Sequence, residues 1–216
     1  MAGSETRLLI LGAVALFEPV NGYQIRRELL SWRVEEWAHI NPGSIYSSLA
    51  TLAKHGLLDR HDLVDGGRAV AVYTLTDAGR DELTALFREA IESVGSFDRL
   101  AFHTALSLGP LVPRKDFARS LGVRLERLDH HLGELDRQLV VSLATNDVPP
   151  HVARVITLWQ ESGRVERAWV AELLAAVEAG ELTFAGEQMT WTPLPDDPGH
   201  QMVADRQRYL AILGRV

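Results

Sequence analysis

NPGSIYSSLATLAKHG, residues 41–56, is the stretch that decides the fold, because it predicts one short helix with well-defined ends. Asn41 suits the N-cap, Pro42 the first helical position and Gly56 the C-terminal stop. Apolar side chains that recur at i, i+4 and i+7 predict one face buried in the core; they are Ile45, Leu49 and Leu52. The predicted helix therefore extends from Pro42 to His55.

The opposite face of this helix is polar and lacks carboxylates. It consists of four hydroxyls and one cation: Ser44, Ser47, Ser48, Thr51 and Lys54. Such a face can approach a phosphate backbone without charge repulsion, although hydroxyls discriminate bases poorly. Tyr46 is expected to pack its ring on the preceding helix and to keep its hydroxyl outward. The helix is a candidate DNA recognition helix, and a merely solvated surface is the alternative.

The residues before this helix predict two more helices. An apolar run at residues 7–17 has the length of a buried helix. Asn21 and Gln24 have the three-residue spacing of a capping box, which predicts that a second helix begins there. Ile25 and Leu29 mark the buried face of that second helix. The candidate recognition helix is thus the third in order, as in a helix-turn-helix.

The residues after it predict a β-hairpin and a further helix. Strand-like segments at 57–64 and 69–75 flank a Gly-containing turn, Asp65-Gly66-Gly67-Arg68. Thr76 suits the N-cap of the helix that follows. This order of elements predicts a winged helix-turn-helix domain at residues 1–96. In that layout the third helix enters the major groove, and the hairpin lies along the DNA backbone or reaches the minor groove.

The rest of the chain predicts long helices without strands. Leucines at near-heptad spacing from Phe117 to Leu139 indicate one amphipathic helix, and apolar residues from Val152 to Val177 indicate a second. The two would form an antiparallel hairpin within a helical domain at residues 97–180. Residues 181–216 are predicted to be an irregular extension with a turn or two of helix. The predicted fold class is mainly α with one β-hairpin.

Composition argues against several classes of protein. The chain has 216 residues, of which 46% are hydrophobic, and its net charge of −7 argues against a protein that coats nucleic acid non-specifically. Cysteine is absent, and His130 and His131 point about 100° apart on a helix, so we expect no metal site. No catalytic constellation or cofactor motif can be assembled. We therefore expect that the protein is not an enzyme. Because the sequence shows no signs of export or of a membrane span, we also expect it to be cytoplasmic.

The first domain resembles the PadR family of transcriptional regulators. The resemblance covers about residues 6–92 and rests on separated motifs: Leu8–Gly12, Asn21–Ile25, Pro42–Tyr46 with Leu49 and Leu52, Gly56–Leu58, and Tyr73–Gly79. The segment from Val152 to Leu174 is similar, more loosely, to the helical C-terminal domain of the longer PadR-like proteins. The resemblance implies a homodimer that binds double-stranded DNA at a palindromic operator, as a repressor released by a small molecule or another signal.

Carried onto this chain, the resemblance implies a set of DNA-facing residues: Gly22 and Tyr23 near the backbone, Ser44, Tyr46 and Ser47 on the recognition helix, and Gly66, Gly67 and Arg68 at the wing tip. Ser48 and Thr51 complete the predicted polar face. Lys54 and Arg68 are the best candidates for phosphate contacts. Family wings often carry a basic pair shortly before the Tyr-x-Leu-Thr motif, but this chain has Val70 and Ala71 there.

The helical domain is expected to form the dimer. The predicted interface residues are Leu121, Leu125, Leu128, Leu132, Val155, Trp159 and Leu173. Trp159 and Trp169 suit core or interface packing, and alternatively they line a site for a small aromatic or hydrophobic effector. Trp32, Trp37 and Trp191 are weaker candidates for the same role.

Two rival functions stay open at this point. The winged fold can serve protein contacts instead of DNA, which the acidic balance and the poorly charged wing favour. Alternatively the protein is a small-molecule sensor without DNA activity. Binding to the DNA of its own promoter, measured as a function of salt, distinguishes these possibilities.

Overall fold

The architecture is mainly helical with one small antiparallel sheet, as predicted. The structure is a computed structural model that describes residues 3–38, 40–97, 99–145, 148–188, 192, 194–195, 197 and 199–214. Trp191 lies outside the described residues. The elements are α1 (Ser4–Phe17), β1 (Val20–Asn21), α2 (Gly22–Ser31), α3 (Val34–Trp37), α4 (Ser44–Lys54), β2 (Leu58–Asp65), β3 (Arg68–Leu75), α5 (Asp77–Glu92), α6 (Leu100–Ser107), α7 (Arg114–Thr145), α8 (Pro150–Ala179) and α9 (Gly199–Ile212).

Helix α1 forms the centre of the winged domain. Every residue from Leu8 to Val14 is buried, because α2, α4, α5, α6 and α9 all pack around it. This explains why the sequence there is apolar throughout instead of amphipathic. The capping box predicted at the start of α2 is present. The Asn21 side chain accepts from the backbone amide of Gln24, and the Gln24 side chain accepts from the backbone amide of Asn21.

The wing is the predicted hairpin. Strands β2 and β3 pair from Leu58↔Leu75 to Asp65↔Arg68, so the turn contains only Gly66 and Gly67. Both glycines have positive φ, 55° and 81°, which matches the twist of a two-residue hairpin and favours glycine at each place. Strand β1, which the sequence did not predict, adds to the other edge of β3 and gives the order β1-β3-β2.

Helix α4 begins later than predicted. It starts at Ser44, and Gly43 takes the N-cap position without a side-chain cap. The prediction that Asn41 is the N-cap and Pro42 the first helical residue is wrong. Asn41 instead closes a turn before the helix, because its Oδ1 accepts from the Gly43 amide at 2.9 Å and its carbonyl accepts from the Ser44 amide at 2.8 Å.

The two long helices pack on each other within the chain. Helices α7 and α8 form the predicted antiparallel hairpin, and α7 also packs on α5. Leu121, Leu128 and Leu132 are buried in that packing, while Leu125 and Leu173 pack against the core more peripherally. The prediction that Leu121, Leu128 and Leu132 lie at a dimer interface is therefore wrong, because packing within the chain buries them. Leu125 and Leu173 are partly covered by the same core, which makes them less suited to an interface.

A buried ion pair joins the winged and helical domains. Arg124 of α7 is 2% exposed, and its guanidinium contacts the Glu166 carboxylate of α8, with Nε donating at 3.1 Å. Its Nη1 donates to the carbonyls of Ile91 and Ser93 at the end of α5, at 2.8 and 2.5 Å. Arg99 binds the other oxygen of Glu166 at 2.6 Å. Burial lowers the pKa of Arg124, and Glu166 opposes this effect.

The C-terminal extension contains more helix than expected. Instead of a turn or two, α9 has 14 residues, and its inner face is buried through Met202, Asp205 and Tyr209. It packs on α1 and β1 of the winged domain. Met202 joins the hydrophobic core, and two hydrogen bonds between residues more than 180 positions apart also attach the helix.

Candidate nucleic-acid interface

The outward face of α4 is a stripe of small and polar side chains, defined here as the α4 stripe. Its exposed members are Tyr46, Ser47, Ala50, Thr51 and Lys54, with Ser44 half-buried at the first turn. It contains no carboxylate. Ala50 was missed in the sequence analysis, although it lies three residues after Ser47 and four before Lys54, which is the spacing of one helix face.

Ser48 does not belong to the α4 stripe. Its predicted exposure is wrong, since only 9% of its surface is accessible. The position lies three residues after Ile45 and four before Leu52, so it lies on the face that packs into the core.

The hydroxyls of α4 are already engaged as donors. Ser44 Oγ donates to the Asn41 carbonyl at 2.7 Å, Ser47 Oγ to the Ser44 carbonyl at 2.8 Å, and Thr51 Oγ1 to the Ser47 carbonyl at 2.7 Å. Their lone pairs therefore face outward as acceptors. In this arrangement the stripe can accept hydrogen bonds from base amino groups, and it can donate to a phosphate only after a hydroxyl rotates.

Tyr46 packs its ring on α2, as predicted. A Cβ at position 22 would lie 3.0 Å from Tyr46 Cε1, so the glycine allows the ring to approach the helix. The Tyr46 side chain remains 46% exposed. Gly22 itself is buried beneath the ring, so it provides space for Tyr46 and offers no side chain to DNA; its position close to the DNA backbone stays a prediction.

Tyr23 extends from the first turn of α2 and is 61% exposed. The capping box beside it fixes where the helix starts. Tyr23 therefore presents an aromatic ring and a phenolic donor on the surface of α2, the helix that packs on α4.

The wing carries few available cations. Arg60 of β2 pairs with Asp62 at 2.8 Å. Arg68, at the end of the turn, is exposed and forms no ion pair with any residue that the structure describes. The same holds for Lys54 of α4 within the described ranges. Lys54 and Arg68 are thus the cations that this face offers to a phosphate backbone.

The two tryptophans of α8 contact different aromatic rings. Trp159 packs edge-on against Phe97, with ring centroids 4.9 Å apart, and is half-buried. Trp169 packs edge-on against Phe102 at 6.2 Å and is 45% exposed. Trp32 and Trp37 pack against the core of the winged domain.

A groove of about 650 Å³ lies between α6 and α8. Its walls include Phe102, His103, Leu106, Val165 and Trp169, and the Arg99–Glu166 ion pair lies at one side. Trp159 does not line it. Of the two tryptophans predicted to bind an effector, Trp169 is therefore the one that the groove contains.

The described residues contain neither a membrane-spanning helix nor a metal-binding cluster. None of the helices there is long and apolar enough to cross a membrane. No group of three or more His, Asp or Glu side chains in the same ranges has a geometry suited to a metal ion.

Residues 10–85 match the sequence model of the Transcriptional regulator PadR-like family. No curated protein matches the chain. Among solved structures the chain is similar to smu.1604c from Streptococcus mutans UA159, at 21% identity over 81% of this chain and 99% of that chain. It is also similar to Bacillus subtilis PadR in complex with operator DNA, at 20% identity over 79% of this chain and 96% of that chain. Both have a TM-score of 0.35, so the family assignment rests on the sequence match. The predicted resemblance is confirmed over the winged domain, because residues 10–85 match the PadR-like family of transcriptional regulators.

Proposed function

We propose that this protein is a homodimeric transcriptional repressor that binds a palindromic operator and is released by a small molecule. The match of its winged domain to a family of regulators supports a role in transcription. The observation that carries the DNA-binding part is the α4 stripe, which is exposed, free of carboxylates and ends in Lys54. The wing packs beside α4 and adds Arg68.

The chemistry of the α4 stripe favours modest base readout. Hydroxyl oxygens accept from base amino groups, and the Ala50 methyl suits contact with a thymine methyl. Because Lys54 and Arg68 are the cations that α4 and the wing of each protomer offer, affinity depends on placing both winged domains correctly and on DNA shape. The dimer therefore supplies much of the specificity.

The test is the salt dependence of binding to the DNA upstream of the protein's own gene. A Lys54→Ala/Arg68→Ala variant removes four phosphate contacts from a dimer, so the log–log salt slope should become shallower by about 3 to 4 units. Arg88→Ala, an exposed cation on α5, is the matched control and should leave the slope unchanged. Undetectable affinity of the wild type for this DNA at low salt would contradict the proposal. An unchanged slope in the double variant would show that Lys54 and Arg68 do not contact phosphates.

The second copy would dock on the outward face of α8. Exposed apolar residues recur there at steps of three, seven and four: Val155, Leu158, Val165 and Trp169, with exposed fractions of 39%, 63%, 71% and 45%. This spacing is that of a coiled-coil seam. Such an apolar stripe on a helix surface, interrupted by Ser162 between Leu158 and Val165, supports self-association. Of the interface residues predicted from the sequence, Val155 belongs to this proposed seam, and Trp159 lies at the edge of the seam.

The effector would occupy the groove beside Trp169. Phe102, Leu106 and Trp169 offer apolar and aromatic walls, which suit a small aromatic or hydrophobic molecule. Its position next to the Arg99–Glu166–Arg124 cluster supports a coupling mechanism, because that cluster joins α8 to the last turn of α5. A ligand that shifts α6 against α8 would change the spacing of the two winged domains and thereby the affinity for DNA.

An interaction module that uses the winged fold for protein contacts is the second candidate. The observation that favours it is the net charge of −7, together with the small number of cations on the candidate face. The salt titration distinguishes the two functions, because a protein-binding module has no reason to show a steep negative slope with DNA.

A further inference from the structure

The C-terminal helix docks directly against the elements that carry the candidate DNA contacts. Asp205 Oδ2 accepts a buried hydrogen bond from Gln24 Nε2 at 2.7 Å, and the Tyr209 hydroxyl accepts from Asn21 Nδ2 at 2.9 Å. Asn21 and Gln24 form the capping box at the start of α2. Helix α9 is therefore fixed to the winged domain by specific polar contacts, and its attachment determines where its exposed side chains lie.

One of those side chains reaches the turn of the wing. Arg208 Nη2 donates to Asp65 Oδ2 at 2.9 Å and to Asp205 Oδ1 at 2.7 Å. Asp65 is the last residue of β2, immediately before the two glycines of the turn. The hydrogen bonds that Arg208 donates to these two carboxylates raise the pKa of its guanidinium above the ordinary value, so the group stays charged.

Asp65 has a second candidate partner across the hairpin. It pairs in register with Arg68, and residues directly opposite each other in an antiparallel pair point to the same face of the sheet. Opposite charges at such positions attract. Yet the Asp65 carboxylate contacts Arg208, while Arg68 forms no ion pair with any described residue. The C-terminal helix thus competes with Arg68 for Asp65.

We infer that Arg208 is a positioning residue for DNA binding, which holds Asp65 so that Arg68 stays available to a phosphate. This inference rests on the proposed function. Without Arg208, Asp65 would pair with Arg68 across the hairpin, and Arg68 would no longer be available to a phosphate. The wing has Val70 and Ala71 before its Tyr-x-Leu-Thr motif, and its other arginine, Arg60, pairs with Asp62. The described residues 58–75 therefore offer no second unpaired arginine or lysine that could replace Arg68. Through Arg208, the C-terminal helix therefore keeps the cation of the wing available for DNA.

A double-mutant cycle tests this role. Affinity for the promoter DNA is measured between about 50 and 200 mM salt for Arg208→Ala, Asp65→Asn and the combined variant. Arg208→Ala should bind more weakly, with a slope shallower by about two units, because each of two wings loses one phosphate contact. Over a fourfold rise in salt, the wild-type affinity should consequently fall about tenfold more than that of the variant. The combined variant should regain the wild-type affinity and slope, and Arg208→Lys should keep most of both.

The controls separate positioning from direct contact and from loss of structure. Arg206→Ala removes an exposed cation from the same helix and should have little effect. If Asp65→Asn fails to rescue Arg208→Ala, Arg208 either touches DNA itself or only stabilises α9, and the inference is wrong. It is also wrong if Arg208→Ala binds like the wild type, or if Arg206→Ala loses as much affinity. Failure of the wild type to bind DNA would instead contradict the proposed function.

Discussion

Removal of the Glu166 carboxylate should strongly destabilise the protein. Arg124 is 2% exposed and cannot regain water when Glu166→Ala deletes its ionic partner. It would keep the carbonyls of Ile91 and Ser93 and the ring of Phe102, which lies 3.6 Å from its Cζ atom. Loss of one partner of a buried pair costs about 3–5 kcal/mol, because a buried charge is left uncompensated.

Thermal or urea unfolding followed by circular dichroism measures this loss. For a chain of this size, about 3–5 kcal/mol lowers Tm by roughly 6–20 °C. Protein concentration must be equal in all samples, since association contributes to the apparent stability. The matched control is Arg167→Ala, which breaks an exposed pair with Asp129 one residue along α8 and should leave the free energy of unfolding nearly unchanged.

A second variant distinguishes the effect of an unpaired buried charge from that of a general packing defect. Arg124→Met/Glu166→Leu removes both charges and should recover most of the stability lost in Glu166→Ala, because paired burial of charge carries its own desolvation cost. If Glu166→Ala is no more destabilising than Arg167→Ala, the cluster does not hold the two domains together. The coupling route proposed for the effector would then have no physical basis.

Three further outcomes follow from the proposed interfaces. Val165→Glu should convert the dimer to a monomer in sedimentation or light scattering. Ala175→Glu, on an exposed side of α8 away from the seam, should leave the dimer intact, and equal behaviour of the two variants would exclude the seam. Gly22→Ala should displace the tyrosine ring that packs on it, costing about 1–3 kcal/mol of stability and lowering DNA affinity. An aromatic effector should quench tryptophan emission in the wild type and in Trp159→Phe but not in Trp169→Phe, and quenching that survives in Trp169→Phe would place the ligand outside the groove.

The winged domain could be predicted because its signals are local. The capping box at Asn21, the glycine pair at residues 66–67 and the N-cap at Thr76 each depend on a few neighbouring residues. Their order along the chain then leaves one arrangement that matches a winged helix-turn-helix. The predicted exposure of Ser48 was wrong because residue type alone does not distinguish a small polar side chain on the core side of α4 from one on the solvent side.

The errors in the helical half have a different origin. A heptad-like stripe such as that of α7 shows that a partner helix exists, but its periodicity is the same whether the partner is α8 of this chain or another copy. Arg124 could not be recognised as buried, because its partner Glu166 is 42 residues away and belongs to another helix. The docking of α9 through Asp205 and Tyr209 depends on contacts 181 and 188 residues apart, which no local pattern encodes.

Hydroxyl-radical footprinting of the wild-type protein on the DNA upstream of its own gene tests the central claim most directly. A dimer that inserts α4 of each protomer into the major groove should protect two patches on one face of the duplex. Their centres should lie about one helical turn, or ~34 Å, apart or a multiple of it, and their sequences should be related by a two-fold axis. Protection should weaken steeply as salt rises. No protection at low salt, or a single patch without two-fold symmetry, would contradict the account.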